Sequence, residues 1–167
     1  DVWEAYRDEL EGMERQARTN LDSSVALVNT VAAHILNSGG KRIRPFLLLL
    51  SARLCGYTGR DHHQLASLVE FIHTASLLHD DVVDEADIRR GQRTARKVWG
   101  NQISILVGDY LYSKAFCQVV DFHHHGINEV LGEACKKMAE GEVLQLYYNG
   151  NPSMSEAEYL KIVEYKT

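Results

Sequence analysis

Apolar residues along this chain recur at helical spacing, and no stretch alternates as a strand would. Val2, Tyr6, Leu10 and Met13 form one stripe and predict a first helix from about Val2 to Arg18. A second is expected from Asp22 or Ser23, either a fitting N-cap, to about Asn37, where Gly39 and Gly40 end it. Pro45 at a first turn opens a third, which stops at Gly56. Gln64 to about Asp84 reads as a long fourth helix with Leu65, Leu68, Val69, Ile72 and Ala75 on its apolar stripe. Later periodic segments predict helices over Gln102–Val120, Asn128–Tyr148 and Ser155 onward, with Ser155 as a cap. There are only two prolines, and the glycines fall mainly between the periodic segments. The pattern is that of an all-α helical bundle.

Composition changes this picture little. The 167 residues are 45% hydrophobic and 25% charged, enough for one globular core. A net charge of −5 gives no global case for nucleic acid or an anionic membrane. The longest apolar run, Phe46 to Leu50, is far short of the about 20 residues a membrane span requires. We therefore expect a cytoplasmic protein. Cys55, Cys117 and Cys135 lack metal-ligand spacing and read as buried small hydrophobes in a reducing compartment. His62-His63 and His123-His124-His125 read as exposed loops, and His34 as a hydrogen-bonded packing residue. Glu142 and Gln145 share a stripe with Leu131, Cys135 and Met138, facing inward as cavity lining or as a structural polar pair.

The fourth helix carries the most specific chemistry. At ~100° per residue Asp80 and Asp84 lie one turn apart on one face, with Asp81 beside them and His73 close to the same line. Stacked carboxylates near a helix C-terminus repel one another and oppose the helix dipole. A bound cation would compensate both effects; the competing reading is an acidic, solvated helix end. Hard oxygen ligands with no cysteine nearby point to magnesium, which shares its sites with waters and substrate phosphates. Arg89 and Arg90 follow at once. Gly39-Gly40-Lys41-Arg42-Ile43-Arg44-Pro45 sets further cations beside a helix N-terminus, as an anion site requires. Two basic clusters around one acidic turn suggest two diphosphates.

These segments resemble the trans-isoprenyl diphosphate synthases, and within them the long-chain polyprenyl (octaprenyl-like) synthases. The resemblance rests on the glycine–lysine–arginine loop just quoted and on Phe71 through Asp84. Ile88-Arg89-Arg90-Gly91, Gly108-Asp109-Tyr110-Leu111 and Lys166-Thr167 carry it further. It implies a helical bundle of the isoprenoid synthase type with a central active-site cavity. Asp80 and Asp84 would hold Mg2+ on the allylic diphosphate, with Asp81 in support. Arg89 and Lys166 would contact that diphosphate, with Thr167 adjacent. Lys41, Arg44, His73 and Arg90 would bind isopentenyl diphosphate. The reaction would be head-to-tail, 1′-4 condensation onto an allylic diphosphate such as farnesyl diphosphate.

In this family the growing tail runs beside the helix that precedes the aspartates. Ala75 and Ser76, the residues five and four positions before Asp80, are small, which implies an unplugged chain-length pocket and a product longer than farnesyl. Close helix packing is the competing explanation for their size. The resemblance also implies a homodimer through the Gln102–Val120 region. The family's second aspartate-rich motif is not reached within residues 1–167, so the expectation is the N-terminal portion of a single synthase domain. The alternative is a non-catalytic subunit or fragment that dimerises with a catalytic homologue. A histidine–aspartate phosphohydrolase would leave both basic clusters unexplained, and a terpene cyclase would not need the glycine–lysine–arginine loop.

Overall fold

The structure is a computed structural model that describes residues 2–166; Thr167 and the side chain of Val2 lie outside the described residues. Its elements in order are α1 (Val2–Ala5), α2 (Arg7–Asn20), α3 (Ala26–Leu36), α4 (Ile43–Leu54), α5 (Asp61–Val83), β1 (Ile88–Arg89), β2 (Gln92–Arg93), α6 (Ala95–Trp99), α7 (Asn101–Val120), α8 (His125–Tyr148) and α9 (Glu156–Lys166). They form two compact units, one ending at Phe122 and the other beginning at His123. No described helix is long and apolar enough to cross a membrane.

In the first unit α5 is the central helix, packed by α7, α2 and α4. Its buried residues include Leu68, Phe71, Ile72, Ala75 and Leu78, wider than the single stripe read from the sequence because neighbours cover it on several sides. Met13 from α2, Leu49 from α4 and Leu111 from α7 complete this core. Two sequence features let α5 and α7 approach closely. Gly108 faces the ring of His79, whose Nε2 would lie 2.3 Å from an added Cβ. Ser104 donates its hydroxyl to the Leu78 carbonyl at 2.9 Å, satisfying a buried polar group.

The second unit is the α8–α9 pair. Gly141 brings the two helices together, since a Cβ there would meet the Lys166 nitrogen and Tyr165 Cβ at 3.0 Å. The expected Ser155 cap is present as a reciprocal pair. The Glu158 amide donates to Ser155 Oγ at 3.3 Å, and the Ser155 amide donates to Glu158 Oε2 at 2.7 Å.

Several sequence expectations change. The first predicted helix breaks at Tyr6, and the short α6 and the β1–β2 hairpin went unforeseen. Two-residue strands are too brief for an alternation to show. Cys55 and Cys117 are exposed rather than buried: Cys55 sits in the turn that follows α4, and Cys117 points outward from α7. His62 and His63 are not loop residues: they lie in the first turn of α5, which starts three residues earlier than expected, and both are half-buried. His123 to His125 are exposed as expected, though His124 caps α8 and His125 begins it. His34 is hydrogen-bonded, with Nε2 at 2.7 Å from the Arg93 carbonyl.

Candidate functional site

The site is built on α5 and on the two connections that flank it. The first connection is the glycine–lysine–arginine loop between α3 and α4. Arg42 adopts a left-handed backbone (φ 48°) and caps α4, while Pro45 sits in the first turn, where its missing N–H costs nothing. The Arg42 guanidinium is committed to the fold. It pairs with Glu70 of α5 at 2.5 Å and donates to the Leu36 carbonyl at 2.6 Å. Lys41 and Arg44, on either side of it, stay exposed.

The second connection follows the aspartates. α5 ends in a Schellman arrangement, with the Ala86 amide bonded to the Asp81 carbonyl (2.9 Å) and the Glu85 amide to that of Val82 (3.3 Å). Glu85 takes the left-handed position (φ 52°) that glycine usually fills. The hairpin turn Arg90-Gly91 then has two positive φ values, 52° and 79°, as a tight primed turn demands. Asp87 anchors the hairpin through Arg96 (3.0 Å) and Lys97 (2.7 Å). Among the described residues, three of the four non-glycine positions with positive φ, Arg42, Glu85 and Arg90, thus border this site.

These connections bring Arg90 over the first loop. A Cβ on Gly40 would fall 2.4 Å from Arg90 Nη1, so glycine is what leaves room for the guanidinium. Lys41, Arg44, His73 and Arg90 line one cavity of about 540 Å³ together with Gly40, Arg42, Ile43 and Glu70. All four residues read as one anion site are therefore together. Arg44 Nη1 lies 3.4 Å from His73 Nε2. Burial, reinforced by the positive charges of Arg44, Arg90, Arg89 and Arg42, lowers the His73 pKa to about 4. At neutral pH His73 is an uncharged hydrogen-bonding group among cations. Burial pushes the Glu70 carboxyl up, against the opposing pull of Arg42, Arg90 and Arg44.

Asp80 lies two helical turns beyond His73 on α5 and Asp84 caps the helix one turn further on, the Asp84 amide donating to the Asp80 carbonyl at 2.8 Å. Asp84 is exposed and Asp80 is half-buried. Asp81 does not stand with them. It is 1% exposed and accepts from Arg89 Nε at 2.8 Å, because a ~100° step from Asp80 turns it into the protein. Burial raises the Asp81 carboxyl, the Arg89 bond and charge oppose that rise, and Asp80 and Asp84 add to it. Arg89 spends one of its five donors on this bond. Ala75 is fully buried, and Ser76 is half-buried with its hydroxyl donating to the His73 carbonyl at 2.7 Å. In the second unit Lys166 is held by Glu142 (2.9 Å) and Gln145 (2.7 Å), so this polar pair serves that lysine.

One participant escaped the sequence reading, Glu70. Glu70 carried a signal: a carboxylate inside an apolar helical run, three residues before His73, is placed for an internal cation. Two exposed or half-exposed carboxylates one turn apart, beside unneutralised cations, suit a hard cation that keeps water and phosphate ligands.

The fold is shared with known proteins. The chain is 44% identical to octaprenyl diphosphate synthase of Escherichia coli K12 over 164 residues, which is 98% of this chain and 51% of that protein. The crystal structure of a decaprenyl diphosphate synthase from Rhodobacter capsulatus superposes with a TM-score of 0.96 at 44% identity, over 99% of this chain and 51% of that one. A polyprenyl synthase from Caulobacter crescentus, crystallised with calcium and isoprenyl diphosphate, gives the same TM-score at 40% identity and the same coverage. The chain thus spans about half the length of these relatives. The polyprenyl synthetase family pattern matches residues 25–167, and the chain belongs to that family.

Proposed function

We propose that this chain forms part of a prenyltransferase that adds isopentenyl diphosphate to an allylic diphosphate and yields a long polyprenyl diphosphate. The observation that carries this reading is the presence of two differently charged stations on one helix. His73 in the cationic cavity lies about 10 Å from Asp80 and about 16 Å from Asp84 along the helix axis, at 1.5 Å per residue. That spacing suits two diphosphates held separately with their carbon ends converging.

Lys41, Arg44 and Arg90 would hold the diphosphate of isopentenyl diphosphate by charge, with neutral His73 adding a directed hydrogen bond. Asp80 and Asp84 would hold magnesium, which would neutralise the allylic diphosphate as it leaves. Asp81 would fix the orientation of Arg89, whose remaining donors would serve that same diphosphate. The allylic C1–O bond breaks with its electron pair going to diphosphate. The isopentenyl double bond then attacks C1, and a proton is lost to restore neutrality. Small Ser76 on the approach to the aspartates supports a long product, as does 44% identity to a protein named for an octaprenyl product. Ile105 and Leu106 stay exposed on α7, which supports a homodimer through that helix.

The test is incubation of the longer protein with labelled isopentenyl diphosphate and farnesyl diphosphate, with and without magnesium, followed by sizing of the product. A magnesium-dependent product longer than farnesyl is expected. A folded, full-length protein that makes no prenyl product would overturn the assignment.

A further inference from the structure

At the other end of α5, about 27 Å from Asp80 at 1.5 Å per residue, a second set of ligand-type side chains converges. Glu9 of α2 and His62 and His63 of α5 are the described histidine, cysteine and acidic residues that bring three ligand atoms within 4.8 Å of one another. Both imidazoles turn Nε2 to the same oxygen of Glu9, His62 at 3.1 Å and His63 in closer contact. We propose that these three residues form a binding site for a divalent transition metal of the zinc type, which would clip α2 to the start of α5.

Five observations support it. The donor set, two imidazoles and one carboxylate, is the kind that zinc and its neighbours take, and it differs from the all-oxygen set at the aspartates. The three side chains are 16–28% exposed, sheltered yet open enough for an ion and a completing water. The remaining oxygen of Glu9 is held by Arg53 of α4 at 3.1 Å, a partner that orients the carboxylate from outside the ligand set. Gly12, one turn after Glu9 on α2, leaves space for the His63 ring: an added Cβ would sit 3.0 Å from its Cε1. Adjacent residues on a helix point ~100° apart, so His62 and His63 reach a common atom only because Glu9 stands between them. Their rings lie 4.3 Å apart at 36°, consistent with both being drawn to it.

The test is zinc titration of untagged full-length protein in excess magnesium, which keeps the aspartates occupied, read by calorimetry and by the visible bands of bound cobalt. One zinc per chain is expected, with a raised melting temperature. Glu9→Gln, His62→Ala and His63→Ala should each weaken binding by about tenfold or more and abolish the thermal shift. Replacing the exposed His123 to His125 should change neither. The proposal is overturned if no saturable zinc binding occurs, or if the three variants bind as the parent does. Should a variant fail to fold, X-ray absorption of the zinc-loaded parent decides: two imidazoles and oxygen support the site, and any set without two imidazoles overturns it.

Discussion

The loop before α4 and the hairpin after α5 solve the same problem in parallel, and comparing them separates structural charge from chemical charge. Each places arginines close together in sequence, and each commits one of them to a buried carboxylate of α5: Arg42 to Glu70, Arg89 to Asp81. Each leaves a neighbour, Arg44 or Arg90, with no carboxylate within ion-pair distance among the described residues. Burying a cation without a partner costs several kcal/mol, so the committed arginine must come with its acid. The uncommitted one is stable only because it faces water, and it is ready for an anion. A loop that neutralised all its cations would fold as well and bind nothing.

This contrast breaks most sharply at the acidic station. Asp84→Ala in the full-length protein should lower kcat/KM for condensation by about a thousandfold or more, since roughly 4 kcal/mol of charge compensation at the leaving diphosphate is lost. The melting temperature should hardly move, because Asp84 is exposed. A large loss of stability would mean that Asp84 belongs with the structural charges.

The two arginines of the first loop should then behave oppositely. Arg42→Ala strands Glu70, which is 7% exposed at its side chain, and should cost about 3–5 kcal/mol of stability by urea denaturation. Combining Arg42→Met with Glu70→Leu should recover much of that loss, because no charge is left unpaired. Arg44→Ala should leave stability within about 0.5 kcal/mol and raise the KM for isopentenyl diphosphate. If Arg44→Ala unfolds the protein while Arg42→Ala spares it, the division drawn here is reversed.

A smaller effect sharpens the same line between packing and chemistry on α5. Ala75→Phe must overfill a fully buried position and should destabilise by about 1–3 kcal/mol. Ser76→Phe, at a half-buried position, should shorten the product with less effect on folding. Product length unchanged in Ser76→Phe would remove the chain-length role from this face.

Much of this was legible in the sequence, for reasons that differ by residue. The long helices and the aspartate turn follow from periodicity, which is a local property, as is the Ser155–Glu158 cap. Lys41 and Arg44 stood out because glycine, proline and basic residues cluster in one short segment, whereas His73 and Arg90 were joined to them by the family resemblance. Which arginine of each cluster would be committed was not legible. That choice depends on Glu70 and Asp81 pointing inward from α5, and on Gly40 making room for Arg90, which are relations between segments far apart in the chain. The pairing of Glu9 with His62 and His63 was hidden for the same reason, since more than fifty residues separate its two halves.

The smallest effect tests the uncommitted side from within. His73 has an ordinary value of 6.5 and a folded value of about 4, set by burial and then by Arg44, Arg90, Arg89 and Arg42. Above pH 6.5 it is neutral in both folded and unfolded chains and contributes no pH dependence. Between 6.5 and 4 the unfolded chain binds a proton that the folded chain refuses, so stability falls as pH falls through that window. His73→Gln should flatten this part of the stability profile. A diphosphate in the cavity would offset the arginine charges, and the imidazole should then titrate at higher pH. Proton NMR of the His73 ring, with and without added diphosphate, reads this directly. An upward shift on binding places the anion among Arg44, Arg90 and His73. A His73 that already titrates near 6.5 in the free protein would mean that these arginines do not surround it, and the distinction between committed and uncommitted charge would lose its best internal probe.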